Sequence, residues 1–119
     1  MEAVIERARE LGRLIGQSNE YGAVNRARQA LSENADLVAL LNRMAEMEAQ
    51  VARALQSGQE PTAELAAEYE QVFADLQSRP EYQAVVAAQA NFDKVLARVN
   101  EEISKGIEAG STSRIILAS

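Results

Sequence analysis

Apolar residues recur at intervals of three and four along most of the chain, which is the spacing of one face of an α-helix. The first stripe consists of Val4, Ala8, Leu11 and Ile15. It predicts a helix over about residues 2–16, with Gly16 suited to its end. A second helix follows to about residue 32, and Ser18 or Asn19 can accept hydrogen bonds from its first amides. The break between the two is short enough to be a kink in one longer helix.

A third helix carries the most regular stripe, and Asn34 or Asp36 can cap its start. Its apolar positions alternate steps of three and four through nearly three heptads, as in the seam of a coiled coil. They are Leu37, Leu40, Met44, Met47, Val51 and Ala54. Gly58 ends this helix, and a connection through Pro61 and Thr62 leads into a fourth one. Because short connections place consecutive helices antiparallel, we expect a helical hairpin here.

The fourth and fifth helices meet at Pro80, since the residue before a proline avoids helical geometry. The buried face of the fourth helix consists of Leu65, Tyr69, Val72 and Leu76. The fifth helix has the longest stripe, made of Tyr82, Val85, Phe92, Leu96, Val99, Ile103 and Ile107. Gln89 interrupts this stripe, either as a buried polar group that sets the register or as a rim residue. The pattern therefore predicts an all-α fold of about five helices with long antiparallel hairpins.

The C-terminal residues depart from this pattern. Residues 110–113 are typical of a flexible linker, and residues 114–119 form a short β-prone apolar run. We therefore divide the chain into an all-helical domain at 1–109 and a flexible tail at 110–119. The tail is either disordered or a terminal peptide that docks on a neighbouring subunit or partner, because exposed branched residues otherwise favour aggregation.

Composition changes this picture by predicting a thin core. Hydrophobic residues make up 47% of the 119 residues, yet 22 of them are alanine and only five side chains are aromatic. Alanine is the best helix former, but each one buries little apolar area. Elongated helices packing against a second subunit would compensate, so we expect a homodimer.

Charge and residue types then exclude several classes of protein. The 12 basic and 18 acidic residues give a formal charge of -6, which disfavours direct binding to nucleic acid. No run of about 18 apolar residues is present, so we expect no membrane insertion. Glu2 stands where a secretory segment would be cationic, and cysteine is absent, so we expect a cytoplasmic protein.

Candidate chemistry is sparse, because the chain contains neither histidine nor cysteine. A carboxylate di-metal site needs Glu-x-x-His pairs, and no phosphate loop or nucleophile motif occurs. The glutamates that could bind a cation are Glu60, Glu64 and Glu68, or Glu46 with Glu70, although such spacing is typical of solvent-facing residues. We therefore predict no enzyme activity, catalytic residue, cofactor or metal. The alternative is an enzyme or small-molecule-binding protein inside a helical dimer, using Arg26, Arg28, Arg43, Lys94 and Gln89.

Several short motifs, in order, resemble the YlbF/YmcA family of small bacterial helical proteins. The matching positions are Ala8-x-x-Leu11-Gly12-x-x-Ile15, Ser18-x-Glu20-Tyr21, Ala27, Asn34-Ala35-Asp36-Leu37, Gly58 to Pro61, Pro80 with Tyr82, Phe92, and Val99-Asn100-x-x-Ile103. Ala35 replaces the proline of the family's Asn-Pro-x-Leu helix start. The resemblance covers about residues 4–107.

This resemblance implies an all-helical, often dimeric fold and a non-enzymatic regulatory or adaptor role in protein complexes. The expected partners are family paralogues and ribonuclease Y, whose accessories influence messenger RNA processing, competence, biofilm formation and sporulation. Some members are credited with iron–sulfur clusters ligated by cysteine, which this chain does not contain. We therefore expect no cofactor.

The candidate dimer or partner interface lies on the apolar faces of the third and fifth helices, with two tyrosines that open similar segments. Glu20-Tyr21-Gly22-Ala23-Val24 returns as Glu81-Tyr82-Gln83-Ala84-Val85. Each tyrosine either packs at a helix start or contacts a partner. The candidate interface residues are Tyr21, Leu37, Leu40, Met44, Met47, Val51, Tyr82, Phe92, Leu96, Val99 and Ile103.

Overall fold

Five α-helices follow one another along the chain, as the apolar stripes predict. The computed structural model describes residues 1–118, with side chains described as far as Thr112. The helices are α1 (Glu2–Gly16), α2 (Asn19–Ser32), α3 (Ala35–Gln56), α4 (Ala63–Gln77) and α5 (Pro80–Ala118). The all-α prediction is confirmed, and the predicted helix ends agree with these bounds to within a few residues up to α5.

Short polar side chains start three of the helices. Ser18, Asn34 and Thr62 each accept a hydrogen bond from the backbone amide three residues further on, at 3.2, 3.1 and 3.1 Å. These bonds satisfy amides that have no partner within the helix. Ser18 rather than Asn19 therefore caps α2, and Asn34 rather than Asp36 caps α3. The extended backbone at Ser18 makes α1 and α2 two separate helices.

The connection between α3 and α4 turns at Gly58, which has a φ of 74°. Side chains with a Cβ rarely adopt this left-handed conformation, so glycine suits the position. Leu37 and Leu76 share one hydrophobic cluster, whereas Val51 and Leu65 meet at the opposite end of the two helices. α3 and α4 are therefore antiparallel, as the short connection predicts.

α2 lies against the first half of α5 and also runs antiparallel to it. Tyr21, early in α2, contacts Phe92, whereas Arg28, later in α2, contacts Gln89. Later residues of α2 thus contact earlier residues of α5, as expected for antiparallel helices. Val24 is the buried residue of α2, with 2% of its surface exposed.

The main hydrophobic core lies between α3 and α4, where they meet α2 and the start of α5. Its buried members are Leu37, Met44, Met47 and Leu76. Leu31, Leu40, Leu41, Leu65, Tyr69, Val72 and Tyr82 pack against them while remaining partly exposed. This core is thin for a chain of 119 residues, in agreement with the alanine-rich composition.

The molecule is elongated, with extents of 67 × 38 × 22 Å and a radius of gyration of 21.6 Å. A compact domain of this length has a radius of gyration of about 13–14 Å. The accessible surface is 9128 Å², whereas a compact monomer of this mass exposes about 6,300 Å². The single chain therefore exposes an excess of about 2,800 Å².

α5 continues to Ala118, whereas the sequence predicts a flexible tail from residue 110. Gly110 lies within this helix and does not adopt the left-handed conformation that ends many helices, while the division into a domain and a flexible tail stays a prediction. A glycine within a helix costs only about 1 kcal/mol relative to alanine. The predicted docking of residues 114–119 concerns side chains outside the described residues, and it stays a prediction.

Across residues 1–118, no helix combines the length and the apolar character needed to cross a membrane.

Candidate protein interaction surfaces

One open apolar groove lies between α1 and the second half of α5. It has a volume of about 460 Å³, and its apolar lining comes from Leu11, Val95, Val99 and Ile103. Arg98 and Glu102 stand at its rim. We name α1 together with residues 94–112 of α5 the arm, and residues 17–93 the body. The groove is the apolar centre of the arm.

The arm leaves its large apolar side chains in contact with solvent. α1 contains no buried residue, although its apolar stripe is regular. Val4 on α1 is 61% exposed, and Ile103 and Ile107 on α5 are 45% and 66% exposed. An amphipathic helix normally buries its apolar face against another element. The two helices of the arm therefore have apolar faces that no other part of the described chain covers.

Charge is divided unequally between the arm and the body. The arm carries six basic and six acidic residues, equally divided between its two helices, so its formal charge is zero. The body carries five basic and twelve acidic residues. The negative charge of the protein therefore lies in the body, and the signs are mixed along the arm.

A second groove opens between α3 and α4 in the body, near their connection. It has a volume of about 390 Å³, and Val51, Leu65 and Tyr69 contribute to its apolar lining. Glu48 and Glu70 flank it. This groove thus combines an apolar floor with acidic edges.

Tyr69 connects the second groove to the surface of α4. Its hydroxyl donates a hydrogen bond to Oε1 of Glu48 at 3.3 Å, and its ring stacks on Phe73 with centroids 6.3 Å apart. Burial raises the pKa of Tyr69 above the ordinary tyrosine value, and the negative charge of Glu48 acts in the same direction. The phenol therefore stays neutral and serves as a donor.

Arg43 ties α3 to α4 beside the core. Its guanidinium donates to Oε1 of Glu68 through Nε at 2.9 Å and also through Nη2, and it donates to Glu46 through Nη1 at 3.2 Å. The hydrogen bonds and charge of Glu68, and then those of Glu46, raise the pKa of Arg43 above its ordinary value. Glu68, a predicted candidate for a cation site, is thus engaged by an arginine.

The contact between α2 and α5 contains the aromatic pair and a polar chain. The rings of Tyr21 and Phe92 lie 5.3 Å apart at an angle of 59°. Arg28 donates from Nη2 to Oε1 of Gln89 at 2.8 Å, and Gln89 donates from Nε2 to Oδ1 of Asp93 at 3.0 Å. Gln89 is half-buried and satisfied at the edge of this contact, as the rim alternative predicts.

The candidate interface residues fall into separate regions. Leu37, Met44 and Met47 are buried in the core of the chain itself, with Leu40 and Tyr82 partly buried against it. The aromatic pair joins α2 to α5, and Val51 lines the second groove. Only Val99 and Ile103 line the groove of the arm, with Leu96 half-buried on the same helix. The structure does not bring the eleven residues together on one face, and their role between subunits stays a prediction.

The arm also contains surface residues that the candidate set omits. Leu11 and Val95 line its groove, and Val4 extends the apolar stripe towards the start of α1. The regular stripe of α1 is the sequence signal that could have identified this face. It predicts burial of the face without identifying the element that covers it.

The arginines and lysine of the alternative enzyme hypothesis do not share a pocket. Arg43 binds Glu68 between α3 and α4, whereas Arg28 binds Gln89 between α2 and α5. Arg26 and Lys94 are exposed. In the part of the chain that the structure describes, no group of three acidic side chains is arranged to hold a metal ion.

These features define an all-α protein of antiparallel helix pairs, with an acidic body and an arm that has an exposed apolar stripe and a net formal charge of zero. A family described as "Control of competence regulator ComK, YlbF/YmcA" matches residues 4–108. This match covers most of the chain, and the chain belongs to the YlbF/YmcA family. The resemblance that the sequence motifs indicate is therefore confirmed.

The chain is also similar to one further sequence and to one solved structure. The chain is 24% identical over 104 residues to a UPF0342 protein of Leuconostoc mesenteroides subsp. mesenteroides, and the alignment covers 87% of this chain and 89% of the relative. Its fold is similar to a solved structure described as "Protein of Unknown Function (DUF964) from Bacillus stearothermophilus", with a TM-score of 0.67 at 14% identity. That similarity covers 89% of this chain and 93% of the other. The structural likeness shows a shared helical fold.

Proposed function

We propose that this protein is a non-enzymatic regulatory adaptor that acts as a homodimer, through protein complexes in the cytoplasm. The observation that carries this proposal is the large exposed surface of a thinly packed chain. Its 9128 Å² exceeds the surface of a compact monomer by about 2,800 Å², and the two apolar grooves lie within it. Exposed apolar faces of this kind mark association sites. The family description, which names control of a competence regulator, supports a regulatory role.

The partners that we propose are family paralogues and ribonuclease Y. This part of the proposal comes from the resemblance to the family, and the charge of the body is compatible with it. Five basic against twelve acidic residues in the body disfavour contact with RNA phosphates, which requires a basic face. A role in messenger RNA processing would therefore depend on a partner that binds and cleaves the RNA.

The partner proposal is tested by purifying the tagged chain from its native host and quantifying the proteins that accompany it. We expect enrichment of family paralogues and ribonuclease Y over a host that expresses the tag alone. Co-elution of the purified chain with purified ribonuclease Y then tests direct contact. Absence of both results, with unchanged transcript ends in a strain that lacks the gene, would contradict the ribonuclease Y proposal.

The non-enzymatic part of the proposal has its own test. The purified chain is incubated with a panel of phosphoesters, nucleotides and anionic metabolites, and turnover is measured. We expect none, because the polar residues of the alternative hypothesis do not share a pocket, and two of them are engaged elsewhere, Arg43 by Glu68 and Arg28 by Gln89. Turnover that Arg28→Gln or Arg43→Gln abolishes, while helix content is unchanged, would establish the alternative enzyme hypothesis instead.

A further inference from the structure

We propose that the arm is the homodimer surface, on which a second copy of this chain docks its own arm to form a four-helix bundle. This inference rests on the proposed homodimer and assigns its surface. Each copy contributes α1 and residues 94–112 of α5. The grooves lined by Leu11, Val99 and Ile103 face each other across the two-fold axis.

Packing is the first argument for a second copy. In a single copy, no other part of the described chain covers the apolar faces of the two arm helices. Two arms packed face to face would enclose a core, as in four-helix bundles. α1 has 15 residues and spans about 22 Å, and the α5 part of the arm spans about 28 Å. The arms of two copies therefore have the same length. Symmetric pairing, in which each copy uses the same surface, would cover the apolar faces of both arms.

Charge is the second argument. Both copies of a homodimer have the same charges, so a surface that pairs with its own copy must not bring together an excess of one sign. The arm has six basic and six acidic residues with the signs mixed, whereas the body has five basic and twelve acidic ones. Pairing through the arm brings together two faces with a net formal charge of zero and keeps the acidic bodies at the outer ends. Pairing through the body would place like charges opposite each other, which is unfavourable.

Area is the third argument. A stable interface buries about 800 Å² on each partner. The chain as a whole exposes about 2,800 Å² more than a compact monomer of its mass. The arm contributes apolar surface to this excess, since Val4, Ile103 and Ile107 are 61%, 45% and 66% exposed. The core of α3 and α4, by contrast, already covers Leu37, Met44 and Met47 within one chain. The arm thus replaces the face of α3 as the main surface between copies.

The test compares substitutions that place a carboxylate on the arm with matched substitutions elsewhere. Val4→Asp and Ile103→Asp change arm residues that are 61% and 45% exposed. Val86→Asp on the same helix as Ile103, and Leu55→Asp on α3, change residues that are 51% and 63% exposed outside the arm. Because all four side chains are exposed in one chain, each variant should keep its helix content by circular dichroism.

Sedimentation equilibrium and light scattering then measure mass against concentration. We expect the wild type at twice the chain mass of 12.9 kDa, and the same mass for Val86→Asp and Leu55→Asp. Val4→Asp and Ile103→Asp should weaken dimerisation by about 100-fold or more, because a carboxylate would be buried without a partner. At concentrations where the wild type is dimeric, both arm variants should have the mass of one chain.

Spin labels give a second measurement that does not depend on disrupting the dimer. The chain lacks cysteine, so Ile107→Cys and Leu55→Cys each provide one labelling site. Dipolar spectroscopy should give a short distance between copies for the arm label and a longer one for the label on α3. A longer distance for Ile107→Cys than for Leu55→Cys would overturn the assignment.

The outcomes separate this inference from the proposed function. A wild type of 12.9 kDa at every concentration would overturn the homodimer and its surface, while the adaptor role would still be judged by co-elution with partners. A dimeric wild type whose mass falls in Leu55→Asp or Val86→Asp, and not in the arm variants, would overturn only the surface.

Discussion

Leu37→Ala should strongly destabilise the protein, because Leu37 is 0% exposed in the main core. The substitution removes three buried carbon groups, each of which contributes about 0.8 kcal/mol to the free energy of unfolding. The cavity left beside Met44, Met47 and Leu76 raises the loss to about 3–4 kcal/mol. The lower end of this range is expected, since the half-exposed neighbours can move into part of the space.

Leu55→Ala provides the matched control for this substitution. Leu55 lies on the same helix, and its side chain is 63% exposed. Its removal should change the free energy of unfolding by less than about 0.5 kcal/mol. Urea denaturation followed by far-ultraviolet circular dichroism compares the wild type and the two variants at one fixed concentration, because the proposed dimerisation would couple stability to concentration.

Two results would refute this reasoning. A loss below about 1 kcal/mol for Leu37→Ala would be smaller than any value expected for a fully buried leucine. A loss for Leu55→Ala as large as that for Leu37→Ala would show that the exposed end of α3 is covered by another molecule. Either result would show that the stripe of α3 is not primarily the core of its own chain.

Three other predictions concern local interactions. Ser18→Ala removes the side-chain oxygen that caps α2 and should lower the free energy of unfolding by about 1 kcal/mol. Urea denaturation measures this change, and an unchanged free energy would show that the cap does not stabilise the start of α2. A double-mutant cycle of Tyr21→Leu and Phe92→Leu should give a coupling of about 0.5–1.5 kcal/mol for the tilted ring pair, and additive effects would contradict it. Burial, and then the charge of Glu48, raises the pKa of Tyr69 in the folded protein. The neutral phenol therefore stabilises the fold fully below about pH 10, the ordinary pKa of tyrosine. This stabilisation is lost as the pH rises from there towards the pKa of the folded state. Tyr69→Phe should reduce this alkaline loss in denaturation curves, and an unchanged curve would argue against it.

The helices and their starts could be predicted from the sequence because local interactions determine them. The cap at Asn34 and the turn at Gly58 depend on residues within one helical turn. A stripe such as Leu37 to Val51 likewise predicts that one face of α3 is buried. The sequence therefore provided the order of the helices and their approximate bounds.

The partner of each buried face could not be predicted in the same way. The heptad-like stripe of α3 is typical of a seam between subunits, yet Met44 and Met47 pack against α4 within the chain. Val99 and Ile103 continue a stripe of similar character on α5, but they lie in an open groove. Periodicity indicates that a face is covered, whereas the topology of the whole chain decides which molecule covers it.

The division of charge is compatible with the two kinds of association that we propose for this chain, with its own copy and with a different protein. A surface that binds its own copy works best without net charge, and the arm meets that requirement with six residues of each sign. A surface that attracts a different protein gains from an unbalanced charge, since long-range attraction raises the rate of encounter. The body has that imbalance, and its second groove is flanked by Glu48 and Glu70. In the arrangement that we propose, self-association through the arm would leave the acidic body open to a partner, and each copy in the dimer would present one such body.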